Sequence, residues 1–283
     1  MGLLAYMSPL EFILTLFCIS VVAGFIGSLI GLGGGIVIVP VLTLLYGIDI
    51  RYAIGASIVS VIATSSGAAA AYVRERLTNL RAAMLLELGT TSSAISGAFL
   101  AGVLHSRRLF LIFGVVMGCS ALAMLKRLEN RAAPAAPDAW ADRLHLHGSY
   151  FDEVQGREVS YRLCHTRLGV VLMYGAGMIS GLLGIGSGAL KVPAMDLAMR
   201  IPIKVSTATS NFMIGVTAAA SAGVYFSRGD IDPVIAAPVA IGVVFGATAG
   251  SKVLPRADNR LIRMVFVIVL LIIAAQMIWK GLR

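Results

Sequence analysis

The chain has 283 residues, 58% hydrophobic and only 13% charged, with a mean hydropathy of +0.89 and a formal net charge of +9. Apolarity on this scale excludes a soluble globular domain, and runs of about 20 apolar residues match helices that cross a bilayer. The ten-residue alternation of an outer-membrane barrel is missing. Lys and Arg gather in the gaps between apolar runs, so the positive charge marks membrane edges and not a nucleic-acid surface.

In chain order, Ser8-Pro9-Leu10-Glu11 has the form of a capping box with proline in the first turn and predicts a helix to about Ile30. This first apolar run is long and lacks a basic leader, so it is expected to stay as a span and not to be cleaved. Gly31-Leu32-Gly33-Gly34-Gly35 then breaks the helix, and residues 36–46 form an apolar piece too short to cross alone. The predicted unit is a helix, an unwound glycine loop and a half-helix that returns or stops inside the protein. Irregular backbone at that depth must be buried by protein or line a cavity. Spans follow over 52–73, 81–104 with Asn79 as N-cap, and 109–125.

Residues 126–166 are a soluble-looking insert. Arg131 to Asp138 reads as an Ala-Pro linker, and the segments flanking Val154-Gln155-Gly156 resemble a small β-hairpin. The insert is expected to be an ornament between the halves. Beyond it come an apolar run over 167–185, a second glycine break, a half-helix to about Met199, and spans near 204–226, 233–254 and 260–280. Asp232-Pro233 supplies an N-cap and a first-turn proline.

Adding 153 to Gly24, Gly31, Gly33, Gly35 and Pro40 gives Gly177, Gly184, Gly186, Gly188 and Pro193, and Ser57 and Tyr72 map onto Ser210 and Tyr225. The chain therefore reads as a tandem duplication: a first membrane repeat at 1–126, a soluble linker at 127–166 and a second repeat at 167–283. The expected fold is an all-α polytopic membrane protein. It has about eight transmembrane helices in two homologous halves, each with a glycine-broken or re-entrant half-helix. Four crossings per half would make the copies parallel, and five would invert them. Span length favours four, and the Lys and Arg distribution on that topology leans toward cytoplasmic termini.

Gly33, Gly34 and Gly35, with Gly186, Ser187 and Gly188, are candidates for an anion site, because half-helix N-termini present unpaired N–H groups and the positive end of a helix dipole. The competing reading is that these small residues only allow tight helix packing. Lys191 and Asp196 stand where the first half has Ile38 and Thr43. Charges at membrane depth are costly and tend to mark a pathway. Lys191 would strengthen the anion site, and Asp196 would carry a proton or balance Lys191. Otherwise Lys191 snorkels and Asp196 pairs with Arg200. Glu87, the other proton-coupling candidate, alternatively reaches the nearer interface. Ser57, Thr209, Ser210 and Asn211 can donate to an oxyanion, or be satisfied by nearby backbone.

His145, His147, Cys164 and His165 lack a second ligand pair at structural spacing, so no metal and no cofactor is expected. Cys18, Cys119 and Cys164 read as free thiols. No nucleotide loop, Gly-x-Ser-x-Gly or His-Glu-x-x-His motif is present, which argues against an enzyme.

The paired Gly-Leu-Gly-Gly-Gly…Pro40 and Gly-Ile-Gly-Ser-Gly…Pro193 elements, the following Ala56-Ser57 and Thr209-Ser210, and the central Gly148-Ser149-Tyr150…Gly156-Arg157-Glu158-Val159 segment resemble the sulfite exporter TauE/SafE family, also called toluene sulfonate uptake permeases. The resemblance implies a transporter of about eight spans for sulfur-containing anions such as sulfite, sulfonates or sulfoacetate, in bacterial inner membranes. Its motif positions fall on Gly33 to Pro40, Ser57, Gly186 to Pro193 and Thr209-Ser210. The expectation is a secondary transporter working by alternating access, possible proton coupling included, with an anion channel or a non-transporting scaffold as alternatives. The expected partners are a small anionic substrate and the lipid bilayer, with no nucleic acid and a homodimer as one option.

Overall fold

A computed structural model describes residues 7–129, 138–186 and 188–282. The part of the Ala-Pro linker at 131–137 and Ser187 lie outside the described residues. The first half comprises α1 (Pro9–Ile30), α2 (Gly35–Pro40), α3 (Ile50–Arg74), α4 (Leu80–Val103) and α5 (Ser106–Glu129). The insert holds α6 (Ala139–Arg143) and the antiparallel strands β1 (Gly148–Asp152) and β2 (Arg157–Tyr161). The second half comprises α7 (Thr166–Leu183), α8 (Gly188–Pro193), α9 (Ile203–Ser227), α10 (Pro233–Val253) and α11 (Asn259–Leu282).

Local chemistry sets these boundaries. Ser8 accepts from the Glu11 amide while the Glu11 carboxylate accepts from the Ser8 amide, closing the capping box of α1. Asp49, Asn79 and Asp232 cap α3, α4 and α10 more simply, each side chain accepting from a first-turn amide. Gly31 and Gly184 end α1 and α7 in the left-handed region, at φ 73° and 65°, where a side chain would be strained. Pro40 and Pro193 end α2 and α8 and lack an N–H, so the ladder loosens there and each helix continues as one π-turn, Val41–Leu45 and Ala194–Ala198.

Among the described residues seven of the long helices are apolar enough to cross a membrane, and the chain is an all-α polytopic membrane protein. Large apolar side chains such as Leu88, Phe99, Phe226 and Phe245 are exposed around the bundle, as lipid contact requires. The eighth long helix, α9, spans 25 residues, but Lys204, Thr209, Ser210, Asn211 and Thr217 point into the protein.

Residues 153 apart make matching contacts. Gly242 packs on the Phe17 carbonyl and Gly89 on that of Val170; Gly250 packs on Phe25 and Gly97 on Met178. So α1 lies along α10, and α7 lies along α4. Small residues at these crossings let the backbones approach.

The direction of the halves corrects the four-crossing, parallel expectation. Tyr46, after the π-turn, returns to the start of α1: its ring stands edge-on to Phe12 at 5.1 Å, and its hydroxyl donates to Thr15 at 2.9 Å. In the second half the Cys164 amide donates to the Met199 carbonyl in the same manner. Each broken unit therefore enters and leaves on one face, so only three complete crossings follow it. An odd number inverts the next half. Gly55, early in α3, abuts Asp230 just past α9, whereas the Asn79 amide, past α3, donates to Thr209 early in α9. These equivalent helices are antiparallel, and the pseudo-two-fold lies in the membrane plane. Both ends of the described chain lie on one face and the insert on the other.

The insert is more than an ornament. Lys204, on the first turn of α9, donates to Asp152 at 2.9 Å and to the Pro255 carbonyl at 3.0 Å, and both side chains of the pair are buried. Asn79 donates to the Leu146 carbonyl and to the Tyr161 hydroxyl. The hairpin thus fastens the α4 entry of one half to α9 and the α10–α11 turn of the other. Burial by itself would raise the Asp152 pKa, but the Lys204 ammonium and the Val154 and Gln155 donors outweigh it and hold the carboxyl below its usual range. A depressed folded pKa gives stability that is present above the unfolded value, about 3.9, and is lost as pH falls through the folded one. The clamp is therefore expected to hold at neutral pH and release only in acid. Asp152→Asn strands the Lys204 charge and is expected to cost about 3–5 kcal/mol. Thermal melting in detergent across that acid range checks both, and an unshifted melt in Asp152→Asn would refute the clamp.

Candidate functional site

The two glycine breaks meet at the centre of the bundle. Gly33 and Gly186, at φ 71° and 72°, both lie against Val61 of α3 and Ile214 of α9, themselves equivalent positions. The halves exchange a hydrogen bond there. Ser57 donates to the Gly184 carbonyl at 2.7 Å, and Ser210 donates to the Gly31 carbonyl at 2.7 Å. Each serine thus holds the helix end at the break in the opposite half. Removing either hydroxyl leaves a buried carbonyl short of a donor, which costs about 1–3 kcal/mol. Ser57→Ala and Ser210→Ala are expected to destabilise by similar amounts. A melt unchanged in both variants would count against the exchange.

These contacts show how the predicted donors are used. The Gly34 amide donates to Thr64 at 3.1 Å. A Cβ on Gly35 would come 2.3 Å from the Ser57 hydroxyl, and one on Gly188 would come 2.2 Å from the Gly31 carbonyl. Close backbone approach is thus one requirement these glycines meet. Asn211 donates to the Ser28 carbonyl at 2.7 Å, which also accepts from Tyr72, while its own Oδ1 is buried without a partner. Thr209 lies away from the breaks and accepts from the Asn79 amide.

The charge constellation lies beside the second break. Lys191 is wholly buried on α8, and its ammonium donates to Glu87 of α4 at 3.2 Å and to Thr217 of α9 at 2.6 Å. Thr217 in turn donates to Glu87 Oε1, and Thr91 donates to the same oxygen at 2.9 Å. One cation, one carboxylate and two hydroxyls from both halves therefore share a closed network, which is what a buried pair needs to offset its desolvation. Glu87 is 8% exposed and forms the floor of a pocket of about 380 Å³ whose walls include Met84, Leu88, Phe212 and Val216.

Asp196 does not balance Lys191. It is bound by Arg263 of α11 through both carboxylate oxygens, at 3.0 and 2.8 Å. The reason is geometric: Asp196 is on the π-turn beyond Pro193, already near the insert face, whereas Lys191 is still beside α4 and α9. Sequence reasoning missed Thr217 and Thr91. Thr217 was findable, because it lies 153 residues after Thr64, and Thr91 is one helical turn beyond Glu87. Among the described residues no group of three or more His, Cys, Asp or Glu is placed to hold a metal.

A family model described as "Sulfite exporter TauE/SafE" matches residues 16–277. A probable membrane transporter protein, YunE, of Bacillus subtilis (strain 168) is 29% identical over 271 residues, covering 93% of this chain and 96% of its own. Another of Xylella fastidiosa (strain 9a5c) is 28% identical over 91% of this chain and 92% of its own. A third, MJ0441 of Methanocaldococcus jannaschii, is 24% identical over 90% and 92%. No solved structure matches. With helices long enough to cross a bilayer, an inverted pair of broken units, and a family match over nearly its whole length, the chain belongs to the sulfite exporter TauE/SafE family and is a membrane transporter.

Proposed function

We propose that the protein is a secondary carrier for a small sulfur-containing anion, such as sulfite, a sulfonate or sulfoacetate, and that Lys191 is its anion-binding charge. The observation that carries this reading is the wholly buried ammonium of Lys191 where both halves converge. A cation held away from water attracts an anion far more strongly than a surface lysine does. Thr217 and Thr91 offer hydroxyls beside it, which suit an oxyanion. The sulfur chemistry follows the family description. Two inverted broken units locked together by Ser57 and Ser210 are the parts that alternating access needs: rocking one half against the other would open the site to either face in turn.

The test is uptake of radiolabelled sulfite, methanesulfonate and sulfoacetate into proteoliposomes. Saturable uptake accelerated by the same anion trapped inside is expected. Current without such acceleration would favour a channel, and no flux of any sulfur anion would sink the reading.

The proposed location is the bacterial inner membrane with the insert in the cytoplasm. The termini face carries Arg51, Arg107, Arg108, Arg228 and Lys280, while the insert face carries Arg74, Arg76, Arg200, Lys204, Arg256 and Arg260 besides the arginines of the insert itself. The denser positive face is expected inside. This reverses the lean toward cytoplasmic termini, which rested on parallel halves. In a cysteine-free variant, Arg157→Cys should resist a membrane-impermeant thiol reagent in intact cells. Ready labelling would overturn the orientation.

A further inference from the structure

We infer that Glu87 and the transported anion take turns on Lys191, so that the anion binds only when Glu87 takes up a proton. This rests on the reading of Lys191 as the anion-binding charge and adds the coupling ion and its carrier.

Three observations carry it. First, Lys191 already holds an anion: the Glu87 carboxylate, at 3.2 Å. A second anion brought to the same ammonium would leave a net negative charge in a buried site, which is strongly disfavoured. Second, Glu87 covers Lys191 on the flank that is not fully closed, being 8% exposed where Lys191 is 0%. It lines the pocket between α4 and α9 together with Thr91 and Ser92. Whatever reaches the ammonium must first displace the carboxylate. Third, Glu87 has partners that suit either protonation state. Thr217 and Thr91 donate to the carboxylate as it stands, and a hydroxyl can reverse to accept from the protonated acid.

The other charged or titratable groups on the packed elements are engaged elsewhere. Arg81 of α4 donates to the His145 carbonyl, and Arg167 of α7 stacks over Trp140. Lys204 and Arg228 of α9 hold Asp152 and Asp230, and Tyr225 donates to the Gly181 carbonyl. Asp196, beyond α8, is held by Arg263, and Tyr174 of α7 is exposed. Among the described residues Glu87 is thus the carboxylate in direct contact with Lys191.

The cycle balances in charge. A proton from water neutralises Glu87, the neutral acid leaves the ammonium, and a monoanion takes its place, so the buried site stays neutral. After the halves rock, the anion departs, the proton leaves Glu87 to the second face, and the carboxylate returns to Lys191. One proton travels with each monoanion.

The experiment compares wild type with Glu87→Gln in proteoliposomes, with sulfite and methanesulfonate as probes, over a series of external pH values. Ionisation of a probe is common to both, so the ratio of variant to wild-type uptake isolates Glu87. That ratio is expected to rise with pH, because the glutamine site no longer needs a proton. A ratio that stays flat, with wild type active, overturns this inference and leaves the transport reading standing. No wild-type uptake of either probe overturns both. Should Glu87→Gln fail to fold, wild type alone decides: at fixed external pH and clamped membrane potential, raising the lumenal pH is expected to speed uptake, and unchanged uptake overturns the coupling.

Discussion

Replacing Lys191 with methionine is expected to abolish anion uptake and to destabilise the protein. Hydrogen bonds to charged groups contribute about 1.5–3 kcal/mol, so loss of the ammonium alone weakens anion binding by up to about 100-fold. The stability effect has a different origin. Lys191 is 0% and Glu87 8% exposed, and removing one member of a buried pair leaves the other uncompensated, at a cost of about 3–5 kcal/mol. The double variant Lys191→Met/Glu87→Gln replaces a pair of charges by neutral groups of similar volume, an exchange that is often neutral. It should therefore recover most of the melting temperature and none of the transport. Thermal melting in detergent and uptake on the same preparations separate the two effects. Uptake retained by folded Lys191→Met would remove Lys191 from the site; a double variant no more stable than the single would show that the pair is not coupled.

Gly188→Ala is expected to be nearly as damaging, for a steric reason. The added Cβ would come 2.2 Å from the Gly31 carbonyl oxygen and 2.6 Å from the Leu32 Cα, both backbone atoms of the opposite break. Neither can rotate away, so the two breaks must separate. Overpacking of this kind costs about 1–3 kcal/mol, and it would also pull Gly31 from Ser210. Gly175 in α7 is the control, since a Cβ there meets nothing within 4 Å. Alanine at that helical position should be neutral or stabilising by up to about 1 kcal/mol. Equal melting and equal uptake for Gly188→Ala and wild type would show that the breaks are not locked together in the working protein.

Residue order alone specifies what depends on neighbours within a turn or on composition over a span. The capping box at Ser8 and Glu11, the caps Asn79 and Asp232, and the glycine breaks at Gly31 and Gly184 were legible because each acts on backbone a few residues away. Membrane insertion was legible because transfer into hydrocarbon sums over side chains regardless of where they pack. The shift of 153 residues exposed the kinship of Ser57 with Ser210, although not that each serine serves the opposite half.

The remaining features depend on contacts between segments far apart in the chain. Whether the half-helix returns or stops turns on Tyr46 reaching Phe12 and Thr15, a contact between segments that hydropathy scores alike. That single return makes the crossings odd, inverts the halves and moves the insert away from the termini face. Charge pairing is likewise set by which helices adjoin. Glu87 and Lys191 lie 104 residues apart, and Asp196 and Arg263 lie 67 apart, so no spacing rule connects them. Burial makes each pairing obligatory, because an unpaired charge inside a bilayer-embedded bundle is too costly to persist.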